Sequence, residues 1–304
     1  MQLTRNRARN FWTAMLFISP FLIGFLFFNL YPIVMSLYYS FTDFSVLRAP
    51  RWVGLANYRD MIADPLIGKS LWNTFYLIFL GVPLITISSI LIAVLLSSRI
   101  PGQGLFRTLV FLPSVVPAVS AALLWVWLLN PNAGLINSLL HAVGVDGPGW
   151  LGDPQWSKPA ILMIVIWGLG SVMVLYLAAL QEVPEDLYEA ASLDGANRAR
   201  LLWHVTLPAI SPVIYYNVIT GVIALSQFFA QVYVVNGSVS GLSGLGAPNN
   251  STLFFGVYLY QAGFTFLKMG YASAMAWVLL VLALIATWLM LKSSDLFSGS
   301  EGEG

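Results

Sequence analysis

Long stretches without a single charged residue limit what this chain can fold into. Lys, Arg, Asp and Glu are absent from six intervals, namely 10–42, 70–98, 108–145, 159–181, 201–267 and 269–291. A helix needs about 20 mostly apolar residues to cross a bilayer. Only 9% of the residues are charged, whereas soluble domains contain about 25%. The sequence therefore predicts an all-α integral membrane protein.

The apolar runs within these intervals predict six transmembrane helices in one domain at 11–292. The expected spans are approximately 11–40, 71–97, 108–129, 160–181, 212–235 and 271–291. The fifth interval is too long for one helix, and its Gly- and Ser-rich segment at 236–252 predicts a loop. The apolar run at 253–264 is too short to cross. A segment at 1–10 and a tail at 293–304 lie outside the domain.

The basic residues before the first span predict the orientation. Six spans put both termini on one side of the membrane, and Arg5, Arg7 and Arg9 precede the first span. Positive charges concentrate on the cytoplasmic side. We therefore expect both termini, and the polar segment between the fourth and fifth spans, to be cytoplasmic.

Several classes of function lack the residues that they need. The chain has no cysteine and a net charge of +1, which argues against thiol chemistry, disulfides and nucleic-acid binding. Its two histidines, His141 and His204, are expected on opposite membrane faces, so no metal site is predicted. "GLSG" at 241–244 resembles the serine motif of rhomboid-type intramembrane proteases, but no histidine follows it. An intramembrane enzyme remains the alternative from a different class.

The predicted spans contain almost no ionisable side chains. An ion-coupled secondary carrier places such groups near the bilayer midplane, so this class is disfavoured. Uncharged polar groups are present, and in the fifth span Asn217, Thr220 and Gln227 recur at roughly helical spacing. This pattern is compatible with a passage for a neutral polar solute that is driven by energy from elsewhere, although each residue could equally form a hydrogen bond between helices.

The polar segment between the fourth and fifth spans predicts a short helix at approximately 184–195. Pro184 suits a helix start, Glu185 and Asp186 fall in the first turn, where the helix dipole favours acids, and Gly195 suits the stop. A helix of this length is too short to be stable alone, so it should pack against another element. A partner's docking site and a simple membrane-surface turn explain these features equally well.

The same segment carries a recognisable motif. "EAASLDGANRARLLWHVTLP" at 189–208 is similar to the EAA motif of ABC importer permeases, which reads EAA-x3-G-x9-I-x-LP, with Val205 in place of Ile. The segments at 32–44, 53–61, 111–140 and 269–277 also resemble the sugar-importer class of these permeases, in the same order along the chain. One departure is "GLSGLGAPNNST", which stands where the family often has a Gly-Gly-Pro loop.

The resemblance implies a multi-pass subunit of a bacterial or archaeal inner membrane, with the ABC importer permease fold and no chemistry of its own. It would bind no cofactor, because ATP and Mg²⁺ belong to two cytoplasmic ATPase subunits. Its other partners would be a second homologous permease, an extracytoplasmic solute-binding protein and the lipid bilayer. The short helix would be a coupling helix that docks into an ATPase cleft. The implied coupling residues are Glu189, Ala190, Ala191, Asp194, Gly195, Arg198, Leu207 and Pro208.

The resemblance also implies a solute site near the midplane, between this chain and the second permease. Aromatic rings stack on the apolar faces of sugars, and amides and hydroxyls replace the water around sugar hydroxyls. Side chains of these kinds, together with glycines beside them, give the candidates Trp125, Trp167, Gly168, Ser171, Asn217, Gly221 and Gln227. The expected solute is a sugar or oligosaccharide. The alternative within the importer class is glycerol phosphate or one of its diesters, which the scarcity of membrane-embedded cations disfavours.

Overall fold

The computed structural model describes residues 2–98, 101–240 and 246–298, and this part of the chain is almost entirely helical. Its only β pairing consists of two isolated antiparallel bridges, Thr42 with Trp52 and Ser45 with Arg48. The described residues therefore form no sheet. The "GLSG" motif at 241–244 lies outside them.

The helices follow one another along the chain. The α-helices are α1 Gln2–Phe25, α2 Tyr31–Ser40, α3 Ala56–Ala63, α4 Pro65–Ser97, α5 Gln103–Val115, α6 Ala118–Leu128, α7 Leu135–Ala142, α8 Ser157–Trp167, α9 Gly170–Gln181, α10 Glu185–Leu193, α11 Arg198–Leu201, α12 Leu207–Ala209, α13 Ser211–Ser226, α14 Ala230–Ser240, α15 Phe255–Tyr260 and α16 Met269–Ser298. Within the described residues, π-helical turns adjoin these helices at Leu26–Leu30, Leu202–Thr206 and Gln261–Thr265.

Four helical segments in the described part of the chain are long and apolar enough to span a membrane. They are Phe11–Ser40, Pro65–Ser97, Ser211–Val239 and Met269–Lys292. Two bent pairs, α5 with α6 and α8 with α9, raise the number to six if each pair is one span.

The third expected span, 108–129, is not a single helix. Its two halves, α5 and α6, meet at an angle of 102°. Val116 between them is extended, with φ −69° and ψ 127°. A residue before proline is pushed out of the helical region by the proline ring, and Pro117 follows Val116. This steric effect accounts for the break.

Two expected loop or tail segments are helical. Helix α14 continues to Ser240, although a loop was expected from residue 236. Helix α16 continues to Ser298, although the tail was expected from residue 293. Gly237 lies inside α14, which shows that its weak helix propensity does not end the helix there.

The chain divides into two compact units, one formed by the residues up to Asp64 with Leu259–Leu279, the other by Pro65–Tyr258 with the residues from Leu280 onward. In the larger unit, α4, α9 and α13 pack together. Ala93, Met173 and Tyr176 are completely buried there, and Ile210 is nearly so. This core supports the elements that carry the candidate site.

The smaller unit is held by hydrogen bonds around the end of α2. The Asn57 Nδ2 group donates to the carbonyl oxygens of Ser40 and Thr42, both at 2.8 Å. The backbone N–H of Gly270 donates to the Phe44 carbonyl at 2.9 Å. A side chain at Gly270 would collide with the Thr42 carbonyl, so this close approach requires glycine.

Candidate functional site

The polar segment between α9 and α12 begins with a short helix that contacts the π-helical turn Leu202–Thr206. Helix α10 spans Glu185–Leu193, with Pro184 as its N-cap and with Glu185 and Asp186 in its first turn. Its nine residues are too few for a stable isolated helix. The hydroxyl groups of Tyr188 and Thr206 lie 3.2 Å apart, and Thr206 is buried. Tyr188 therefore fixes α10 to the π-helical turn Leu202–Thr206.

The end of α10 is a Schellman motif. Gly195 has φ +79°, its N–H donates to the Ser192 carbonyl at 3.1 Å, and the N–H of Ala196 donates to the Ala191 carbonyl at 3.0 Å. These two bonds satisfy carbonyls that the helix end leaves free. A Cβ added at Gly195 would meet no atom within 4 Å. Within this chain, glycine is therefore required by the backbone angle and not by lack of space.

Most of the implied coupling residues face outward. Glu189, Ala190, Asp194, Gly195, Arg198 and Pro208 are exposed, and Ala191 is half-buried. Leu207 is also half-buried and packs against the core. Two exposed apolar side chains accompany them, Leu193 at 90% and Trp203 at 67%. Sequence reasoning did not select these two, because a leucine on a short helix and a tryptophan near a membrane are ordinary features.

Charge is unevenly distributed along this surface. Five acidic residues lie on α10 and beside its ends, namely Glu182, Glu185, Asp186, Glu189 and Asp194. Helix α11 is basic, with Arg198 and Arg200, and Asn197 caps it by accepting a hydrogen bond from the Arg200 N–H at 2.9 Å. The surface thus has an acidic side at α10 and a basic side at α11.

A cavity of about 250 Å³ lies between α4, α9 and α13. Its lining residues are Val82, Ile85, Thr86, Val172, Asn217, Thr220, Gly221, Ala224 and Leu225. Asn217 and Gly221, two of the residues selected from sequence, therefore meet at one cavity. Thr86 was missed, because a threonine inside the apolar run of α4 carries no signal until α13 packs beside it.

Asn217 and Thr220 place polar groups at the cavity. The Asn217 Nδ2 group donates to the Val213 carbonyl at 2.9 Å, which uses one of the two N–H bonds of the amide. The Thr220 hydroxyl lies 2.8 Å from the Tyr216 carbonyl, to which it donates. Among the described residues that line the cavity, none has a charged side chain. This arrangement can offer hydrogen bonds to a neutral ligand but no counter-charge to an ion.

The two tryptophans selected from sequence form a separate pair. The rings of Trp125 and Trp167 meet edge to face with centroids 6.1 Å apart, and neither belongs to the cavity lining. Trp125 is buried, and its Nε1 donor has no hydrogen-bond partner among the described residues. An unpaired buried donor costs about 1–3 kcal/mol, which makes this group a candidate to bind an external acceptor.

The remaining selected residues lie at bends or outside the lining. Gly168 is the C-cap of α8, at the 47° bend between α8 and α9. Ser171 and Gln227 are exposed, and Gln227 ends α13. Gly168, Ser171 and Gln227 are not among the residues that line the cavity. In the described part of the chain, no three His, Asp or Glu side chains are grouped in a way that could hold a metal ion.

The comparisons with known proteins agree on one family. Residues 85–293 match the family described as "Binding-protein-dependent transport system inner membrane component". The probable ABC transporter permease protein YesP of Bacillus subtilis is 37% identical, over 97% of this chain and 94% of that protein. The diacetylchitobiose uptake system permease NgcF of Streptomyces coelicolor is 34% identical, over 92% and 81%. The lactose transport system permease LacF of Rhizobium radiobacter is also 34% identical, over 90% and 91%.

A solved structure shares the fold. A chain in the crystal structure of a bacterial alginate ABC transporter, in complex with a periplasmic protein bound to an alginate pentasaccharide, superposes with a TM-score of 0.81. The two chains are 23% identical, and the match covers 98% of each. The chain belongs to the family of binding-protein-dependent inner-membrane components, the permease subunits of ABC transporters, and it is not itself an enzyme.

Proposed function

We propose that this chain and a second homologous permease together form the membrane passage for a sugar or oligosaccharide. An extracytoplasmic binding protein delivers the solute, and two cytoplasmic ATPase subunits bind Mg²⁺ and ATP and supply the energy. The observation that carries the solute class is the cavity between α4, α9 and α13, which offers amide and hydroxyl groups without a charge. The carbohydrates in the names of NgcF and LacF support the same class.

The size of the cavity supports a shared site. Ligand pockets usually enclose about 300–1,000 Å³, whereas this cavity holds about 250 Å³. The chain alone would therefore surround only part of an oligosaccharide, and the second permease would complete the site. The Trp125–Trp167 pair, with its free indole donor, is the candidate for an aromatic contact on the same route. Glycerol phosphate is less well matched, because the lining has no cation.

The exposed face of α10 is the proposed docking surface for an ATPase. Ala190 permits close approach, Leu193 supplies an apolar contact, and Glu189 and Asp194 favour a cleft with a basic rim. The Tyr188–Thr206 contact would pass a movement of α10 to α12 and α13, because the π-helical turn joins them directly in the chain. We place α10, both termini and the ATPases in the cytoplasm.

The solute site is tested by replacing Asn217 in the complete importer. Asn217→Leu keeps the volume similar but removes the amide from the cavity. Losing one or two hydrogen bonds to the solute, at about 0.5–1.5 kcal/mol each, should reduce uptake and solute-stimulated ATPase activity by roughly 2- to 160-fold. Both are measured in proteoliposomes that contain both permeases and both ATPases, with the binding protein supplied.

The matched control is Ser226→Ala, on the same helix. The Ser226 hydroxyl is buried and donates to the Ile223 carbonyl at 2.7 Å, but the residue does not line the cavity. This variant should transport normally. Unchanged uptake by Asn217→Leu would remove this cavity from the proposed route while leaving the docking surface untested.

A further inference from the structure

The segment that follows α2 is a preformed hairpin at 41–53. The Val53 N–H donates to the Phe41 carbonyl at 2.9 Å, and the Asp43 N–H donates to the Arg51 carbonyl at 3.0 Å. At the tip, the Arg48 N–H closes a turn on the Ser45 carbonyl at 3.0 Å. Because backbone bonds connect both arms and the turn, the backbone of the tip has a defined conformation.

The tip of this hairpin is apolar and exposed. Val46 and Leu47 stand between Ser45 and Arg48, with exposed fractions of 60% and 77%. Apolar surface is favoured to leave water. A hydrogen-bonded hairpin that presents two neighbouring apolar side chains at its turn is suited to enter a less polar phase.

Positive charge borders the apolar tip. Arg48 and Arg51 are both exposed. The hairpin also contains one acidic residue, Asp43. Its Oδ1 atom accepts a hydrogen bond from the Arg51 backbone N–H at 2.9 Å. Long basic side chains keep their apolar stems beside lipid while their charged ends reach the headgroups. Arg also binds phosphate oxygens in a bidentate manner.

The hairpin begins at the boundary of a membrane-spanning segment. Helix α2 ends the candidate span Phe11–Ser40. The Trp52 ring stacks on Phe41 with centroids 5.4 Å apart, and it lies 6.1 Å from the ring of Tyr38, inside the last turn of α2. The second arm therefore lies beside the end of the span. Trp and Tyr concentrate at this depth, in the membrane–water interface.

We propose that the hairpin at 41–53 is an interfacial anchor for anionic lipid. Val46 and Leu47 enter the boundary between headgroups and acyl chains, while Arg48 and Arg51 bind the lipid phosphate. Anionic lipids are preferred because a headgroup with a net negative charge attracts the two arginines, whereas a zwitterionic headgroup carries no net charge. The proposal concerns the smaller unit alone and stands whether or not the solute is a sugar.

A fluorescent label at the tip tests this anchor directly. The sequence contains no cysteine, so Leu47→Cys gives this chain a single labelling site for bimane, and the other subunits of the importer are used in cysteine-free form. The importer is reconstituted into liposomes that contain either brominated phosphatidylglycerol or brominated phosphatidylethanolamine, whose bromine atoms quench nearby bimane. Phe17→Cys, 79% exposed within the first span, is the lipid reference. Asn132→Cys, on an exposed loop position, is the aqueous reference.

We expect the label at position 47 to lose fluorescence as the label at position 17 does, and to lose more in phosphatidylglycerol than in phosphatidylethanolamine. Adding Arg48→Gln and Arg51→Gln should abolish that lipid preference without changing the quenching at position 17. Quenching at position 47 equal to that at position 132 in both lipids would overturn the proposal. Shielding that requires the extracytoplasmic binding protein would overturn it too, because the hairpin would then contact protein.

Discussion

Gly195 is required for its backbone angle, and this requirement gives a prediction at the scale of a single residue. With φ +79° and open space around it, the position tolerates Asn, which visits the left-handed region. A residue branched at Cβ adopts it poorly, at about 1–2 kcal/mol. Gly195→Val should therefore loosen the end of α10 and reduce ATP-dependent uptake, while Gly195→Asn should keep most of it.

Uptake by proteoliposomes that contain the complete importer measures both variants. Equal and severe loss in both would contradict the conformational explanation. It would mean that the docked ATPase fills the space that is open in this chain alone.

Two glycines near the bend between α8 and α9 have different roles. A Cβ at Gly170 would collide with the Val110 carbonyl of α5, whereas the nearest atom to a Cβ at Gly168 is 3.6 Å away. Overpacking costs about 1–3 kcal/mol. Gly170→Ala should therefore lower the thermal unfolding midpoint of the purified protein in detergent, and Gly168→Ala should leave it nearly unchanged. A midpoint for Gly170→Ala at the wild-type value would show that α5 and α9 are not this close.

The sequence predicts only those of these residues that a local pattern marks. Gly195 was identifiable because a helix start, an acidic first turn and a stop follow one another in the chain. Asn217 was identifiable as a polar residue in an apolar run. Gly170 and Thr86 were not, because what singles them out is a neighbour from a distant helix.

At the scale of elements, the segment at 246–254 is clamped to the start of α4. The Asn73 Nδ2 group donates to the carbonyls of Asn250 and Leu253 at 2.8 and 3.0 Å. The Thr74 hydroxyl accepts from the Phe255 N–H at 2.8 Å. Asn73 is completely buried. These partners of Asn73 lie 177 and 180 residues away along the chain, so the sequence around Asn73 does not identify them.

Asn73→Leu should release this segment. The substitution leaves two carbonyls without their donor, at about 1–3 kcal/mol for each buried group that stays unpaired. Hydrogen–deuterium exchange of residues 246–254 in the purified protein should become faster, while α13 exchanges as before. Asn132→Leu, at an exposed position, is the control and should change neither. Unchanged exchange at 246–254 in Asn73→Leu would mean that other contacts hold the segment.

The expected spans and the helices of the structure differ mainly where a helix is interrupted. The first, second, fifth and sixth expected spans coincide with helical segments that are long and apolar enough to cross a membrane. The third is broken at Val116 because a proline follows it. Whether a proline bends a helix slightly or turns it by 102° depends on the helices packed around it, which the local sequence does not contain.

At the scale of the whole molecule, docking of the ATPases should be separable by mutation from binding of the solute. Ala190→Trp places a large ring on the exposed face of α10, where the proposed ATPase cleft needs close approach. The ATPases should then co-purify poorly with the permeases, and uptake should be lost, although the protein still inserts. Ala133→Trp, also exposed but in the loop before α7, should co-purify and transport normally. Normal ATPase binding by Ala190→Trp would place the docking surface elsewhere.

The decisive measurement for an ATP-driven sugar importer is the energy source of its transport. The complete importer is reconstituted in proteoliposomes, and uptake of a panel of labelled disaccharides and short oligosaccharides is measured with and without ATP on the ATPase side. Accumulation of at least one sugar should require both ATP and the binding protein, and it should continue after ion gradients are dissipated. Accumulation that follows an ion gradient in the absence of ATP would contradict ATP-driven import.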